Sequence, residues 1–341
     1  MDIICSIGPK VNNPIALAEL YNAGMNVLRF NFSHADYEHT KKLIDYAREN
    51  LKGSKIMADL QGPKLRVSGS FPEELKVYPG QEILFCSEAT YIQYRKHAIK
   101  YIIVPIATDA PFSALMSAKS IFMKDATMKF RIIGRNELFI KTVVERGGIL
   151  RAEKGINAPG MDRSRLTLTE KDKKDILWAL DNNVDIIVLS FVASKENIIE
   201  IREFINHYKK YKSFHQPRLW AKIESREGVD NFDSILEQVD GIMLGRGDMF
   251  AEIPFYEIPG IQDAIMEKMK GTDKDLVIAT YVLSSMRTNP LPLISELNDI
   301  YNCLQKGATG FMLSGEVSTG SYSQQVVETL HSMLQMYGSS R

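Results

Sequence analysis

Cysteine is scarce in this chain of 341 residues, which has only Cys5, Cys86 and Cys303. They stand far apart and form no CxxC pair. That excludes a disulfide framework and a zinc site built on thiolates alone, and it favours a reducing compartment. Excess charge of either sign is also missing. The 42 Lys and Arg balance 42 Asp and Glu. Nucleic-acid and anionic-membrane binders draw their affinity from a surplus of Lys and Arg that this chain lacks. No apolar run is long enough to span a bilayer. The opening residues read as a strand, without the basic stretch of a secretory leader. No nucleic-acid or membrane partner is expected, and the expected location is cytoplasmic. What is present is ordinary globular composition, 45% hydrophobic and 25% charged. The length suits one large barrel, or one domain with an insertion.

Short apolar, β-branched runs recur at 3–6, 26–32, 55–59, 185–191, 219–224, 241–244, 276–280 and 310–314. Each is hydrophobic nearly throughout, as parallel strands buried on both faces must be. Amphipathic segments follow them. Thr169 reads as the cap of a helix running to Leu180, with Glu170 and Asp172 as acidic residues of its first turn. Ser194 reads as the cap of a segment reaching Tyr208. Right-handed strand–helix alternation gives a parallel sheet, and eight units close it into a (β/α)₈ barrel of the α/β class. An open doubly wound sheet is the alternative.

The alternation breaks once, after the third run. Residues 67–162 are mostly strand-like and are punctuated by Tyr78-Pro-Gly-Gln81, Gly134-Arg-Asn136 and Gly147-Gly148. Stretches 120–130 and 137–144 suggest paired strands. A loop this long should carry its own fold. The expected organisation is a catalytic barrel over 1–66 and 163–341, with a small β-barrel lid at 67–162 set above it. One helix, over 324–336, is expected to end the chain.

In barrels of this kind, functional side chains collect where strands finish. Strand two ends in Arg29, Asn31, Ser33 and His34, and strand three in Asp59. Strand five gives Lys222 and Glu224. Strand six gives Arg246, Gly247 and Asp248, strand seven Thr280, and strand eight Ser314 and Glu316. Glu224 and Asp248, from neighbouring strands, can share a hard divalent cation such as Mg²⁺. Lys222 lies two residues before Glu224, so both point to one side of the strand. A lysine beside such a cluster can neutralise a phosphate or an enolate. The competing reading is an internal Lys222–Glu224–Asp248 ion-pair network. Arg246-Gly-Asp248 is read as part of a barrel loop rather than as an adhesion motif.

These residues also carry a resemblance. Cys5-Ser-Ile-Gly-Pro9, Gly24 to His34, Asp59-Leu-Gln-Gly-Pro-Lys64-Leu-Arg66, Lys154-Gly-Ile-Asn157-Ala-Pro-Gly160, Lys222-Ile-Glu224, Gly241 to Asp248, Ala279-Thr280 and Met312-Leu-Ser314-Gly-Glu316 are similar, in order, to the motifs of the pyruvate kinase family. The resemblance implies phosphoryl transfer between phosphoenolpyruvate, or a related enol phosphate, and a nucleotide (ADP or ATP). It places Mg²⁺ or Mn²⁺ on Glu224 and Asp248, and Arg29 and Lys222 on the phosphoryl group. Thr280 lies where the enolate gains a proton, with Ser314 and Glu316 continuing the path. Gly247, Arg246 and Ser190 are assigned to substrate. Arg66, His34, Lys154 and Asn31 are assigned to the nucleotide.

Several positions depart from the family pattern. The family's monovalent-cation region falls on Asn31, Ser33, Asp59 and Lys64. Here Asp59-Leu-Gln-Gly-Pro-Lys64 resembles relatives that do not need K⁺, the Lys64 ammonium supplying the charge. The alternative is a solvated lysine. Lys124-Asp125-Ala126 replaces an Asp-Asp-Gly in the lid. Thr319 replaces a lysine associated with the nucleotide, and Tyr281-Val-Leu-Ser284 replaces Gln-Met-Leu-Glu. Leu291-Pro-Leu-Ile294 has lost arginines of a subunit interface, so a homo-oligomer other than the usual tetramer is expected. The chain is expected to be a shortened form without the family's C-terminal regulatory domain. The phosphoenolpyruvate half is thus expected intact and the nucleotide half altered, with weak or changed use of ADP. A lyase or another acceptor acting through the same enolate chemistry, and a non-catalytic binding or regulatory relative, are the alternatives.

Overall fold

The computed structural model describes residues 1–338, apart from 73, 97–100, 109–110, 125 and 164–167. In chain order its strands are β1 (Asp2–Ser6), β2 (Val27–Asn31), β3 (Lys55–Asp59), β4 (Leu65–Val67), β5 (Leu75–Val77), β6 (Glu82–Ser87), β7 (Ile102–Ala107), β8 (Ser120–Met123), β9 (Met128–Arg135), β10 (Phe139–Arg146), β11 (Gly148–Leu150), β12 (Gly155–Asn157), β13 (Ile186–Leu189), β14 (Arg218–Ile223), β15 (Gly241–Gly245), β16 (Asp275–Ala279) and β17 (Gly310–Leu313).

Each of the eight expected apolar runs forms a strand of one parallel closed barrel, in the order β1-β17-β16-β15-β14-β13-β3-β2. Closure through β1–β2 and β1–β17 excludes the open sheet. Both strand faces are dry. Ile4, Val27, Met57, Val188, Trp220, Met243, Val277 and Met312 fill the barrel interior, while Ile3, Cys5, Leu28 and Ile187 face the helices. This is why the strands read as unbroken hydrophobic runs rather than as alternation.

Local chemistry starts the helices. Asn13 Oδ1 accepts from Ala16 N at 3.0 Å, with Pro14 at the first helical position. Thr169 Oγ1 accepts from Asp172 N at 2.9 Å at the head of Glu170–Asp181. Ser194 and Asn197 form a reciprocal cap at the head of Lys195–Lys209. The last helix runs Ser323–Tyr337. Among the described residues no helix is long and apolar enough to cross a membrane.

Between β3 and Glu170–Asp181 the chain builds a second closed barrel, in the order β10-β6-β7-β4-β12-β8-β9, with β5 and β11 paired beside it. It has its own apolar core around Phe85, Phe130, Ile140 and Ile156. The strand expected over 120–130 is instead a hairpin, β8–β9, because the chain turns at Lys124–Thr127. Lys124 and Ala126 both adopt positive φ there, 52° and 60°. Asp125, the middle residue of that departure, lies outside the described residues.

Candidate active site at the ends of the barrel strands

Asp59, at the end of β3, is 1% exposed and receives two cations. Arg29 donates through Nε and Nη2 to Oδ2 at 2.8 and 2.5 Å, and through Nη1 to Ser6 Oγ at 2.7 Å. Lys222 Nζ reaches Oδ1 and Oδ2 of the same carboxylate at 2.7 and 2.9 Å, and Ser190 Oγ at 2.9 Å. Burial pushes the Asp59 carboxyl up, but the Lys222 and Arg29 charges outweigh it and hold it at about 2. Two cationic groups against one carboxylate leave this part of the wall, Arg29, Asp59 and Lys222 taken together, with one surplus positive charge.

The carboxylates anticipated for a divalent cation lie on that same wall. Lys222 Nζ is 3.9 Å from Glu224 Oε1. Glu224 Oε2 accepts from the Phe191 backbone N–H at 3.0 Å. Burial pushes Glu224 up to about 7; Lys222 pulls against this shift and Asp248 adds to it. Gly245 makes room for this side chain, since a Cβ there would lie 2.5 Å from Glu224 Cγ. Asp248 accepts from Lys64 Nζ at 2.8 and 2.9 Å and from Asn157 Nδ2 at 3.1 Å. Burial raises Asp248 and the Lys64 charge outweighs it, so the carboxyl stays below its ordinary range. The lysine that engages Asp248 is thus Lys64. Lys222 belongs chiefly to Asp59.

Ser6, Arg29, Asn31, Lys222, Glu224, Gly247, Asp248, Thr280 and Ser314 bound one cavity of about 320 Å³. Its donor set suits Mg²⁺ or Mn²⁺, which take one or two carboxylates and complete their shell with water and substrate oxygens. Among the described residues no group of three or more His, Cys, Asp or Glu could hold a metal. The ion pair of Glu224 with Lys222 is long, at 3.9 Å, because Lys222 sits on Asp59, which leaves this carboxylate open to a divalent ion.

The other predicted residues divide into groups. Thr280 follows β16 and has φ 64°, and Tyr281 has φ 54°. A β-branched residue is seldom found there. Arg246, 8% exposed, grips this turn by donating to Thr280 O at 3.0 and 2.7 Å and to Tyr281 O at 3.0 Å, while also pairing with Asp299 at 2.6 Å. Arg246 therefore fixes backbone. Gly247 lies against Thr280, whose Oγ1 would be 3.4 Å from a Cβ built on it. Asn31 Oδ1 accepts from Ser33 N at 3.0 Å.

His34 is half-buried. Burial, then the charge of Arg66, lowers its pKa, with Lys171 and Lys64 also near. Arg66 donates to Glu153 O at 3.0 Å. Lys154 donates to Ile149 O at 2.7 Å, and its charged neighbours are Arg151, Lys124 and Glu74. The structure brings His34, Arg66 and Lys64 together and sets Lys154 in a different cluster.

A second cavity of about 350 Å³ adjoins the first, sharing Gly247, Thr280, Ser314 and Gly315 with it. Ser314 Oγ and Glu316 Oε1 are buried there without a hydrogen-bond partner among the described residues. Burial raises the Glu316 carboxyl.

Four participants escaped sequence reasoning. Ser6 ends β1, and the rule that strand ends carry the site points to it. Phe191 (φ 54°) binds Glu224 through its N–H and packs its ring against Lys64 and the Arg163 guanidinium. Asn157 and Arg163 both reach Glu252, the former at 3.3 Å and the latter at 2.8 Å, which ties the inserted barrel to the segment carrying Asp248. Asn157 lies in a motif already noted, though its role there was not read; no local pattern signals Phe191 or Arg163.

Comparisons with known proteins give the chain's family. The family model for the pyruvate kinase barrel domain matches residues 1–327. The pyruvate kinase of Kluyveromyces lactis is 34% identical over 337 residues, covering 96% of this chain and 65% of that protein. That of Schizosaccharomyces pombe is 35% identical over 335 residues, covering 95% and 64%. That of Bacillus licheniformis is 32% identical over 337 residues, covering 97% and 56%. The chain spans less than two thirds of the length of these relatives. With a match over nearly its whole length to the family's barrel domain, this chain belongs to the pyruvate kinase family.

Proposed function

We propose that this site transfers a phosphoryl group between phosphoenolpyruvate, or a related enol phosphate, and a nucleotide, with Mg²⁺ or Mn²⁺ held by Glu224 and Asp248. The observation that carries the reading is the sharing of one buried Asp59 carboxylate by Arg29 and Lys222. It fixes two cations in place with a charge surplus, on the wall of a cavity that also presents two carboxylates. Phosphoryl transfer needs little covalent help from a protein and depends on positioning and charge stabilisation.

Arg29 and Lys222 stabilise the negative charge on the phosphoryl group as it moves. Lys222, tethered by Ser190 and Asp59, then faces the enolate left behind. The divalent ion, when bound, neutralises phosphate and enolate oxygen charge as a Lewis acid. Thr280 is held at the cavity edge by a backbone that Arg246 grips, and a threonine hydroxyl there positions water or relays a proton. The inserted barrel, joined to the site through Lys64 and Asn157, shields it from water. Lys64 supplies a fixed positive charge beside Asp248, which removes the need for K⁺.

Phosphorus NMR of phosphoenolpyruvate with Mg²⁺ and a panel of acceptors tests the reading. Loss of the phosphoenolpyruvate signal with a matching new phosphate ester or anhydride supports it. A phosphoenolpyruvate signal unchanged with every nucleotide rejects it.

A further inference from the structure

Among the described residues, Arg287 carries the one cationic group that bounds the second cavity. Its guanidinium makes no hydrogen bond or ion pair among the described residues. The other two cations lining the joined cavities, Arg29 and Lys222, are both committed to Asp59. The backbone beneath Arg287 is fixed. It ends the short helix Ser284–Arg287, its carbonyl accepts from Ser321 N at 3.0 Å, and Ser285 N donates to Glu296 at 2.8 Å. The guanidinium therefore has a defined base and an unsatisfied fork of donors.

Its position relates it to the altered nucleotide half. A Cβ built on Gly315 would lie 3.7 Å from Arg287 Nη1 and 4.0 Å from Thr319 Oγ1. The guanidinium and the Thr319 hydroxyl thus flank the same point above Gly315, and Gly315 borders both cavities. Thr319, which stands where the resemblance expects a lysine, donates its hydroxyl to Gly315 O at 2.9 Å and carries no charge. The positive charge missing at 319 is present beside it, delivered from a different segment of the chain.

We propose that Arg287 is a phosphate-binding residue of the acceptor subsite, and that the cavity it borders takes a phosphate group of a nucleoside diphosphate. This rests on the phosphotransferase reading above. The planar fork suits a phosphate, which it grips with two parallel hydrogen bonds. The cavity walls add the Ser284 and Ser314 side chains as neutral polar neighbours and the buried carboxyl of Glu316, which burial raises and the Arg287 charge lowers. The enol phosphate is served by the first cavity, where Arg29 and Lys222 stand, so the adjoining cation is available to the second substrate.

The experiment uses the full chain and the variants Arg287→Gln and Arg287→Lys. Calorimetric titrations with ADP and, separately, with inorganic pyrophosphate are run in the presence of Mg²⁺, alongside initial rates with phosphoenolpyruvate. Arg287→Gln is expected to weaken ADP and pyrophosphate by about tenfold or more. The KM for phosphoenolpyruvate should stay within about twofold, and Arg287→Lys should fall between. Among the described residues Arg287 has no hydrogen-bonded or ion-paired side chain to lose, only the charge it sets near Glu316, so its removal should leave the fold intact, which a thermal melt verifies. Unchanged ADP and pyrophosphate affinity in Arg287→Gln overturns the proposal. A selective rise in the phosphoenolpyruvate KM also overturns it, by assigning the guanidinium to the carboxylate or phosphate of the first substrate. If the unmodified chain transfers phosphate to no nucleotide, yet Arg287→Gln still loses pyrophosphate affinity, the kinase reading fails and the subsite stands.

Discussion

Lys64 Nζ lies 2.8 and 2.9 Å from the two carboxylate oxygens of Asp248, joining residues 184 positions apart in the chain. The lysine comes from the segment that leads into the inserted barrel, and the aspartate from the helix Arg246–Glu252. A permanent ammonium thus stands among the groups expected to surround a metal and two phosphates. Asp248 and then Glu224 raise the Lys64 pKa against the effect of burial, so it stays charged through the neutral range.

This pairing predicts activity without K⁺. Turnover in tetramethylammonium chloride should equal turnover in potassium chloride. Lys64→Ala should slow the reaction about tenfold in tetramethylammonium, on the scale of one lost charge-assisted contact, with partial recovery on adding K⁺. An unmodified chain that is inactive until K⁺ is supplied would count decisively against it.

Glu224→Gln keeps the shape of the side chain and removes its charge. Mn²⁺ affinity, read from the paramagnetic relaxation of water protons, should drop about tenfold or more, and turnover should be lost. Thermal stability should hold or rise, because burial already opposes ionisation of this carboxyl. Equal Mn²⁺ affinity in the variant would remove Glu224 from the metal site.

Asp59 links stability to pH. Its carboxyl sits at about 2 in the folded chain against an ordinary 3.8. A lowered folded-state pKa means that the stabilisation is fully present above the ordinary value and is lost as pH falls through it toward 2. The difference corresponds to about 2 kcal/mol. Asp59→Asn should cost about 3–5 kcal/mol in urea unfolding at neutral pH, since it strands two buried cations. It should also flatten the stability loss between pH 4 and pH 2. An Asp59→Asn chain that unfolds at the same urea concentration as its parent would refute the shared-carboxylate account.

Gly245→Ala tests the space reserved for Glu224. The added methyl would lie 2.5 Å from Glu224 Cγ, so the carboxylate must shift. A stability loss of about 1–3 kcal/mol is expected, together with weakened Mn²⁺ binding. Metal affinity retained in a destabilised variant would show that Glu224 moves without consequence.

Much of this was written locally. Eight apolar runs specified eight buried strands, because a parallel strand covered on both faces must be hydrophobic throughout. Thr169 and Ser194 marked helix starts, because a cap acts within three residues. The polar residues just past the strands marked the lining of one cavity, because in a closed parallel barrel those ends converge on one face. Which polar group meets which was decided only by the tertiary structure. Lys222 meets Asp59 across 163 positions, and Lys64 takes Asp248. Arg246, counted with the substrate residues from its motif, grips the backbone of the Thr280 turn. Arg287, which has no motif, borders the site through a turn fastened to Ser321. Sequence spacing fixes periodicity and caps because those forces act over a few residues. The pairing of buried charges depends on barrel closure and on where the inserted barrel comes to rest, and neither is encoded within any short stretch of the chain.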